Sequence, residues 1–188
     1  MNIALLASNG ETVALASRLI SSGNMVRTAF ADESLPECDW FIFDESSPLS
    51  SKENRMNTKA RIAEALSLGK PVMAMLTENA PVTPKCAVAF SELLQFSSAA
   101  AVTLSGAENI LGLDLDDNEV DRLPGSPDDG YPADAALFAH ALVSTYELTF
   151  GLVYDGEQQS GVLYANNTYD VITADSMENA IAELFRVG

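Results

Sequence analysis

Two almost unbroken apolar runs near the start of the chain constrain its fold more than any other feature. The first covers residues 2–8, and the second is Trp40-Phe41-Ile42-Phe43 within residues 39–44. A strand that is apolar on both faces must be covered on both faces, as in a parallel sheet flanked by helices. The sequence around the two runs carries the helical spacing that such a sheet requires.

The first eighty residues predict the element order β-α-β-β-α-β. Strands are predicted at residues 2–8, 25–30, 39–44 and 72–76. Apolar side chains at helical spacing predict the helices, with Gly23 closing the first and Lys70-Pro71 ending the second. These side chains are Val13, Ala16, Leu19 and Ile20 in the first helix, and Ile62, Ala65 and Leu66 in the second. The order implies right-handed crossovers, so the predicted fold class is α/β, an open, mostly parallel Rossmann-like or flavodoxin-like sheet.

Beyond Ala80 the pattern is less regular and predicts an α+β part that contains a hairpin and helices. The predicted elements are strands at 86–90 and 100–104, helices at 91–97 and 105–112, a helix from Pro132 to Tyr146, a hairpin of 148–154 and 161–165 about Asp155-Gly156, a strand at 169–173, and a last helix begun by Asp175 and Glu178. The predicted division is a Rossmann-like domain at 1–113, an acidic loop or linker at 114–130, and a small α+β part at 131–188.

The acidity of the chain is concentrated in its second part. Residues 1–80 hold ten acidic and seven basic side chains, whereas residues 81–188 hold seventeen acidic and three basic ones. Such a surface repels nucleic acid and anionic membranes. It is compatible with a solvated surface that keeps the protein in solution, and also with a docking face for a basic protein partner.

Targeting signals are not evident in the sequence. No run approaches the roughly 18 apolar residues of a spanning helix, and the start of the chain lacks the basic flank of a signal peptide. The two cysteines, Cys38 and Cys86, do not suggest a disulfide framework. We therefore expect a cytoplasmic protein.

Polar clusters that follow the predicted strands indicate a ligand site. Ser8-Asn9-Gly10 follows the first strand, and Asp44-Glu45-Ser46-Ser47 follows the third. In open parallel sheets, ligands bind beyond the carboxyl ends of the strands. The first loop precedes a helix, so its N–H groups are suited to a phosphate or carboxylate, although an ordinary turn has the same sequence. Asp44 and Glu45 are suited to ribose hydroxyls or to acid–base chemistry, but solvated loop residues are equally compatible.

Basic residues cluster in the second predicted helix and around it. Lys59 lies on the same helix face as Ile62 and Leu66, so we expect its ammonium group to overhang the carboxyl edge of the sheet, near the ligand. The alternatives are that Lys59 extends into solvent or pairs with Asp44 or Glu45. The cluster consists of Lys52, Arg55, Lys59, Arg61 and Lys70.

A metal site is not predicted, and no cofactor is indicated. His140 is the only histidine and has no cysteine close in sequence. Aromatic residues do not interleave with basic ones, which argues against a nucleic-acid platform.

Two segments resemble the nucleoside 2-deoxyribosyltransferase-like superfamily. They are Cys38-Asp39-Trp40-Phe41-Ile42-Phe43-Asp44 and Ala60-Arg61-Ile62-Ala63-Glu64-Ala65-Leu66-Ser67-Leu68-Gly69-Lys70-Pro71-Val72. The resemblance covers residues 1–77 and implies the fold and nucleotide or nucleoside binding. Arg61 stands where the family has its nucleophilic glutamate, and Asn9-Gly10 replaces the family's Gly-Pro. These departures count against covalent glycosyl transfer through a glutamate.

These observations predict a protein that binds a nucleotide or nucleoside-like small molecule. The predicted ligand contacts are Ser8, Asn9, Gly10, Glu45, Ser46, Lys59 and Arg61. If the chain is an N-glycosidic-bond enzyme, Asp44 is the predicted catalytic carboxylate. The alternative is a non-enzymatic acidic interaction or assembly protein on a degenerate Rossmann-like fold.

Overall fold

One mixed sheet of eight strands organises the structure, a computed structural model that describes residues 1–7, 13–30, 33–45, 52–76, 84–113 and 133–188. In chain order the described elements are β1 (Asn2–Ala7), α1 (Val13–Ser21), β2 (Met25–Ala29), β3 (Trp40–Glu45), α2 (Lys52–Ser67), β4 (Val72–Leu76), α3 (Pro84–Leu94), β5 (Ala99–Thr103), α4 (Leu104–Leu111), α5 (Ala133–Tyr146), β6 (Phe150–Asp155), β7 (Ser160–Ala165), β8 (Thr168–Thr173) and α6 (Met177–Leu184).

The sheet order is β2-β1-β3-β4-β5-β6-β7-β8. Every pairing from β2 to β6 is parallel, and β7 is antiparallel to both β6 and β8. Because two reversals cancel, β8 points the same way as β1–β6, and β7 is the one strand of the eight that runs against the others. This arrangement confirms the predicted open, mostly parallel α/β fold class.

The helices are distributed unequally over the two faces of the sheet. Helices α2–α5 pack on one face, in a core that contains Ile62, Leu93 and Leu142. Helices α1 and α6 pack on the other face through Leu19 and Ile181. Right-handed crossovers explain why α1 and α2–α5 lie on opposite faces, because the chain moves one way along the sheet from β1 to β2 and the opposite way from β3 to β6.

Two glycines of the sheet lie in closely packed surroundings. A Cβ atom at Gly151 of β6 would lie 3.0 Å from Val143 Cγ2 and 3.4 Å from the carbonyl oxygen of Ala139, both in α5. At Gly161 of β7 a Cβ would lie 2.9 Å from Leu152 Cδ1. The space that side chains would fill at these glycines is therefore already occupied by neighbouring side chains and helix backbone.

The end of the chain is fastened to the first helix. The side-chain amide of the buried Asn24 donates to the carbonyl of Phe185 (2.7 Å) and to that of Leu19 (3.1 Å). The N–H of Val187 donates to the carbonyl of Ser22 at 3.0 Å. These bonds join α1 to the segment after α6, which are neighbours on one face of the sheet although they are far apart in sequence.

The predictions for the first part are largely confirmed. All four strands and both helices are present, and Gly23 adopts the left-handed conformation of a closing glycine (φ +88°). The predicted apolar face of α1 is partly wrong. Leu15 and Leu19 are buried, whereas Val13 and Ile20 are mostly exposed, because helical spacing alone does not identify which of two adjacent apolar stripes meets the sheet.

The clearest error concerns residues 86–90, which form part of helix α3 and not a strand. The alanine, valine and phenylalanine residues of this segment resemble a buried strand, but their pattern is that of a helix with one buried face.

The last helix begins at Met177, with Ser176 as its N-cap in place of Asp175. The predicted linker, 114–130, lies outside the described residues, and the division into domains stays a prediction. Among the described helices, none has the length and apolar composition needed to cross a membrane.

Because α5 packs closely on β6, an added methyl group should destabilise the protein at Gly151 and much less at Gly156. Gly151→Ala should lower the free energy of unfolding by about 1–2 kcal/mol, because the new methyl group forces apart a packed helix and strand. Chemical denaturation measures this change. The matched control is Gly156→Ala in the β6–β7 turn, where a Cβ would lie 4.0 Å from its nearest atom, a ring carbon of Tyr154. Equal losses of unfolding free energy for the two variants would contradict the close approach of α5 to β6.

His140 predicts a pH-dependent contribution to stability. Its ring packs edge-on against Tyr164, with ring centres 4.9 Å apart, and burial lowers the pKa of His140 below its ordinary value of 6.5. Because the folded state favours the neutral ring, this contribution is complete above pH 6.5 and is lost as the pH falls through the lowered pKa. His140→Phe keeps an aromatic ring and removes the titration. Denaturation between pH 7.5 and about 5 should therefore show a smaller loss of stability for the variant than for the wild type; parallel losses would contradict this.

Candidate functional site

The sheet order reverses direction between β1 and β3. The chain places β2 on one side of β1 and then crosses back to place β3 on the other side. Connections from the two strands therefore diverge beyond their carboxyl ends, which is where open α/β sheets generally form a ligand-binding crevice. At this point Ala7, the last residue of β1, pairs with Asp44 of β3.

Asp44 is the best-defined polar side chain at the crevice. It is 4% exposed, although it is one residue from the end of β3. Ala7 and Met75 are its neighbours across the sheet. Since side chains alternate along a strand, Asp44 projects to the same face as Ile42, which is the face covered by α1. A carboxylate at this place is suited to accept hydrogen bonds from ligand hydroxyl or amino groups.

The other predicted contacts around the crevice are not all described. Ser8, Asn9, Gly10 and Ser46 lie outside the described residues. Glu45 ends β3, and only its backbone is described. The structure therefore places the strand ends from which the predicted loops depart, and the contacts of these loops stay predictions.

The two basic side chains of the predicted site contact other parts of the protein. Lys59 lies midway along α2, and its Nζ binds Glu92 Oε2 of α3 at 2.6 Å. The same Nζ lies 6.0 Å from the ring centre of Phe96. Lys59 thus has a different carboxylate partner from the predicted Asp44 or Glu45. Nη1 of Arg61 donates to the carbonyl of Glu33 at 2.7 Å, so it contacts the segment that joins β2 to β3.

Polar groups at the carboxyl ends of β5 and β6 support local structure. Thr103 caps α4 by accepting a hydrogen bond from the N–H of Gly106. Asp155 Oδ1 accepts from the N–H groups of Glu157 (2.9 Å) and Gln158 (3.2 Å), and so holds the β6–β7 turn. These groups lie on the far side of β4 from the crevice.

Tyr154 also has a structural partner at this end of the sheet. Its hydroxyl donates to the carbonyl of Ala174 at 2.9 Å. Burial raises the pKa of Tyr154, and the carboxylates of Asp175, Glu178 and Asp155 raise it further. The phenol therefore stays protonated at neutral pH and serves as a donor.

A shallow cleft between α3 and α4 was missed by the sequence analysis. It has a volume of about 360 Å³. Its walls are mainly aliphatic, with Ser91 and Asn109 as polar members. Because residues 86–90 were predicted as a strand, no face of α3 was available to form a cleft with the next helix. The lining residues are Pro84, Ala87, Val88, Ser91, Asn109, Ile110, Leu111 and Gly112.

Metal-binding side chains do not converge in the described ranges, where no group of three or more histidine, cysteine or carboxylate residues is suited to hold an ion.

A row of aromatic rings lies between α5 and the last two strands. His140 packs against Tyr164, which in turn packs against Tyr169 with ring centres 4.9 Å apart. Burial, followed by the influence of Tyr164, raises the pKa of Tyr169 to about 12. This aromatic row joins α5 to the β7–β8 hairpin.

Comparisons with known proteins give structural likeness without detectable sequence similarity. No family model matches the chain, and no curated protein matches it. An ADP complex of Bacillus subtilis pyridoxal kinase is similar with a TM-score of 0.62 and 12% identity, over 97% of this chain and 81% of the kinase. Phosphomethylpyrimidine kinase from Clostridium difficile 630 is similar with a TM-score of 0.66 and 12% identity, over 98% and 90%.

A third similar structure contains two ligands. Pyridoxal kinase from Staphylococcus aureus, in complex with AMP-PCP and pyridoxal, has a TM-score of 0.58 and 13% identity, over 93% of this chain and 71% of the kinase. At these identities the likeness establishes the fold alone. It also corrects the resemblance to nucleoside 2-deoxyribosyltransferases, which is wrong, because the similar structures are ribokinase-like, a different superfamily. The segment ending in Gly69-Lys70-Pro71-Val72 reflects a helix-to-strand junction that unrelated α/β sheets share.

Proposed function

We propose that this chain binds a nucleotide or a nucleoside-like small molecule in the crevice between the carboxyl ends of β1 and β3. The observation that carries the proposal is the pairing of Ala7 with Asp44 at the point where the sheet order reverses. A buried carboxylate at that point has the position from which open α/β sheets contact ligands.

The similar structures support the same class of ligand. Two of them are kinases whose complexes contain ADP, or AMP-PCP together with pyridoxal. These complexes concern other proteins, and they support the proposed ligand class only through the likeness in fold.

Asp44 is the proposed ligand contact, through acceptance of hydrogen bonds from hydroxyl or amino groups. Hydrogen bonds to a charged group contribute about 1.5–3 kcal/mol. Removing the charge should therefore weaken binding by roughly tenfold to a hundredfold. Contacts from Ser8, Asn9, Gly10, Glu45 and Ser46 are proposed to complete the site, because their segments leave the two strand ends that flank the crevice. Lys59 and Arg61 remain proposed contacts and would have to exchange their present partners for the ligand.

The proposal predicts ligand-dependent stabilisation that requires Asp44. The wild-type protein is screened by thermal shift with ADP, AMP-PCP, adenosine and pyridoxal, each with and without Mg²⁺, and any binder is titrated calorimetrically. At least one compound should raise the melting temperature. Asp44→Asn, which preserves shape and removes charge, should weaken that binding at least tenfold, because the ligand loses a charged acceptor.

The matched control is Asp155→Asn. Asp155 is also a nearly buried strand-end aspartate, but it belongs to β6 and holds a turn. The Asp155→Asn change removes the same negative charge from the protein as Asp44→Asn does. Binding that is unaffected by Asp44→Asn, or weakened equally by both changes, would reject the crevice. Absence of any thermal shift across the panel would reject the proposed ligand class.

A basic protein partner for the acidic second part receives no support from the comparisons. Neither the similar structures nor the described contacts point to such a partner, and it stays a prediction from charge alone.

A further inference from the structure

Strand β2 ends the sheet on the side next to β1. Within the described residues no strand pairs with its outer side. The N–H of Met25 bonds the carbonyl of Met1, so the backbone of Met25 faces β1. Because successive residues of a parallel pair point alternately toward the partner and away from it, the N–H and C=O groups of Val26 and Thr28 face the open side.

The open edge has a defined length. At its carboxyl end, Phe30 donates its N–H to Glu33 Oε2 at 3.0 Å and accepts from the N–H of Glu33 at 3.1 Å. These two bonds occupy both backbone groups of Phe30, so they are not available to a partner strand. The edge offered to a partner is therefore β2 itself, Met25–Ala29.

Apolar side chains surround this edge. Met25 is 69% exposed and Phe30 is 47% exposed. Helix α1 packs beside β2 and exposes Val13 and Ile20, which are seven residues apart and hence share one helix face. Val26 packs on the same side of the sheet as α1. An added strand would therefore find Val26 and the side of α1 on one face, whereas Met25 lies on the opposite face with Arg27.

Charge distinguishes the opposite side of the edge. Arg27, in the middle of β2, is exposed, and alternation places it on the face away from α1. It is one of ten basic residues in a chain of net charge −17. A basic side chain at the centre of an open edge opposes addition of another basic strand and favours an acidic one.

We propose that β2 is a docking edge for an extended segment of a partner protein in which acidic and apolar residues alternate. Backbone groups of the segment pair with Val26 and Thr28, an acidic residue lies beside Arg27, and apolar residues lie on the α1 side near Val13 and Ile20. Addition of a strand to an exposed sheet edge is a general mode of peptide recognition. This surface is independent of the proposed ligand crevice.

Alternatively, Arg27 only protects the edge from aggregation. Titration with a peptide distinguishes the two roles. The probe is a blocked synthetic peptide with the order threonine, valine, glutamate, valine, threonine, so that glutamate and valine occupy opposite faces. Binding to the full chain at physiological salt is followed by NMR titration. The peptide should shift the amide signals of Val26 and Thr28 and slow their hydrogen exchange.

Charge reversal gives the sharpest test. Arg27→Glu should weaken binding of the glutamate peptide roughly threefold to tenfold and should strengthen binding of the matching lysine peptide by a similar factor, because attraction and repulsion at one exposed pair are exchanged. Circular dichroism confirms that the variant folds; Arg27 is exposed, so its replacement should leave the melting temperature nearly unchanged. Asp170→Lys, on the opposite edge strand β8, is the matched control and should leave binding of the glutamate peptide unchanged.

Several outcomes would overturn the proposal. If the glutamate peptide does not bind at all, or if a peptide with methylated backbone nitrogens binds equally well, pairing through the backbone is rejected. A glutamate peptide that binds Arg27→Glu as well as the wild type, or that loses binding to Asp170→Lys instead, would reject the β2 edge. Sedimentation of the protein alone completes the test. A concentration-dependent dimer that Arg27→Glu abolishes would assign the edge to a second copy and would also overturn the proposed partner.

Discussion

The parallel pairing of β5 with β6 is the constraint on which the rest of the structure depends. Five residue pairs, from Ala99–Phe150 to Thr103–Tyr154, join strands that are separated by α4, an undescribed segment and α5. Gly151 of β6 lies under α5, which therefore approaches this strand closely. The pairing fixes the position of the β6–β8 strands relative to the crevice, and it lets α6 reach α1, where Asn24 holds Phe185.

Much of the first part could be predicted because its strands are short apolar runs bounded by turn residues. The element order and the parallel sheet follow from that pattern. The joining of β6, β7 and β8 to the same sheet could not be predicted, since the residues that pair between β5 and β6 are 51 positions apart in sequence and no local pattern encodes the pairing. Residues 86–90 were misread because alanine, valine and phenylalanine fit a buried strand and the inner face of a helix equally well.

The candidate site was predictable in position and less so in detail. Asp44 follows a buried strand, and that alone located it at the carboxyl edge. The pairing of Asp44 with Ala7 depends on which side of β1 receives β3. Only the complete fold determines that side. The partners of Lys59 could not be predicted, because Glu92 belongs to α3, the helix whose first half was read as a strand.

A shared fold does not transfer chemistry when identity is near 12%. The likeness to kinases establishes the fold, but it assigns no role to any residue of this chain. Each proposal therefore depends on features that would retain their meaning without the likeness. For the crevice these are the burial of Asp44 and its register with β1. For the edge they are the alternation of backbone groups along β2 and the charge of Arg27, which follow from strand geometry alone.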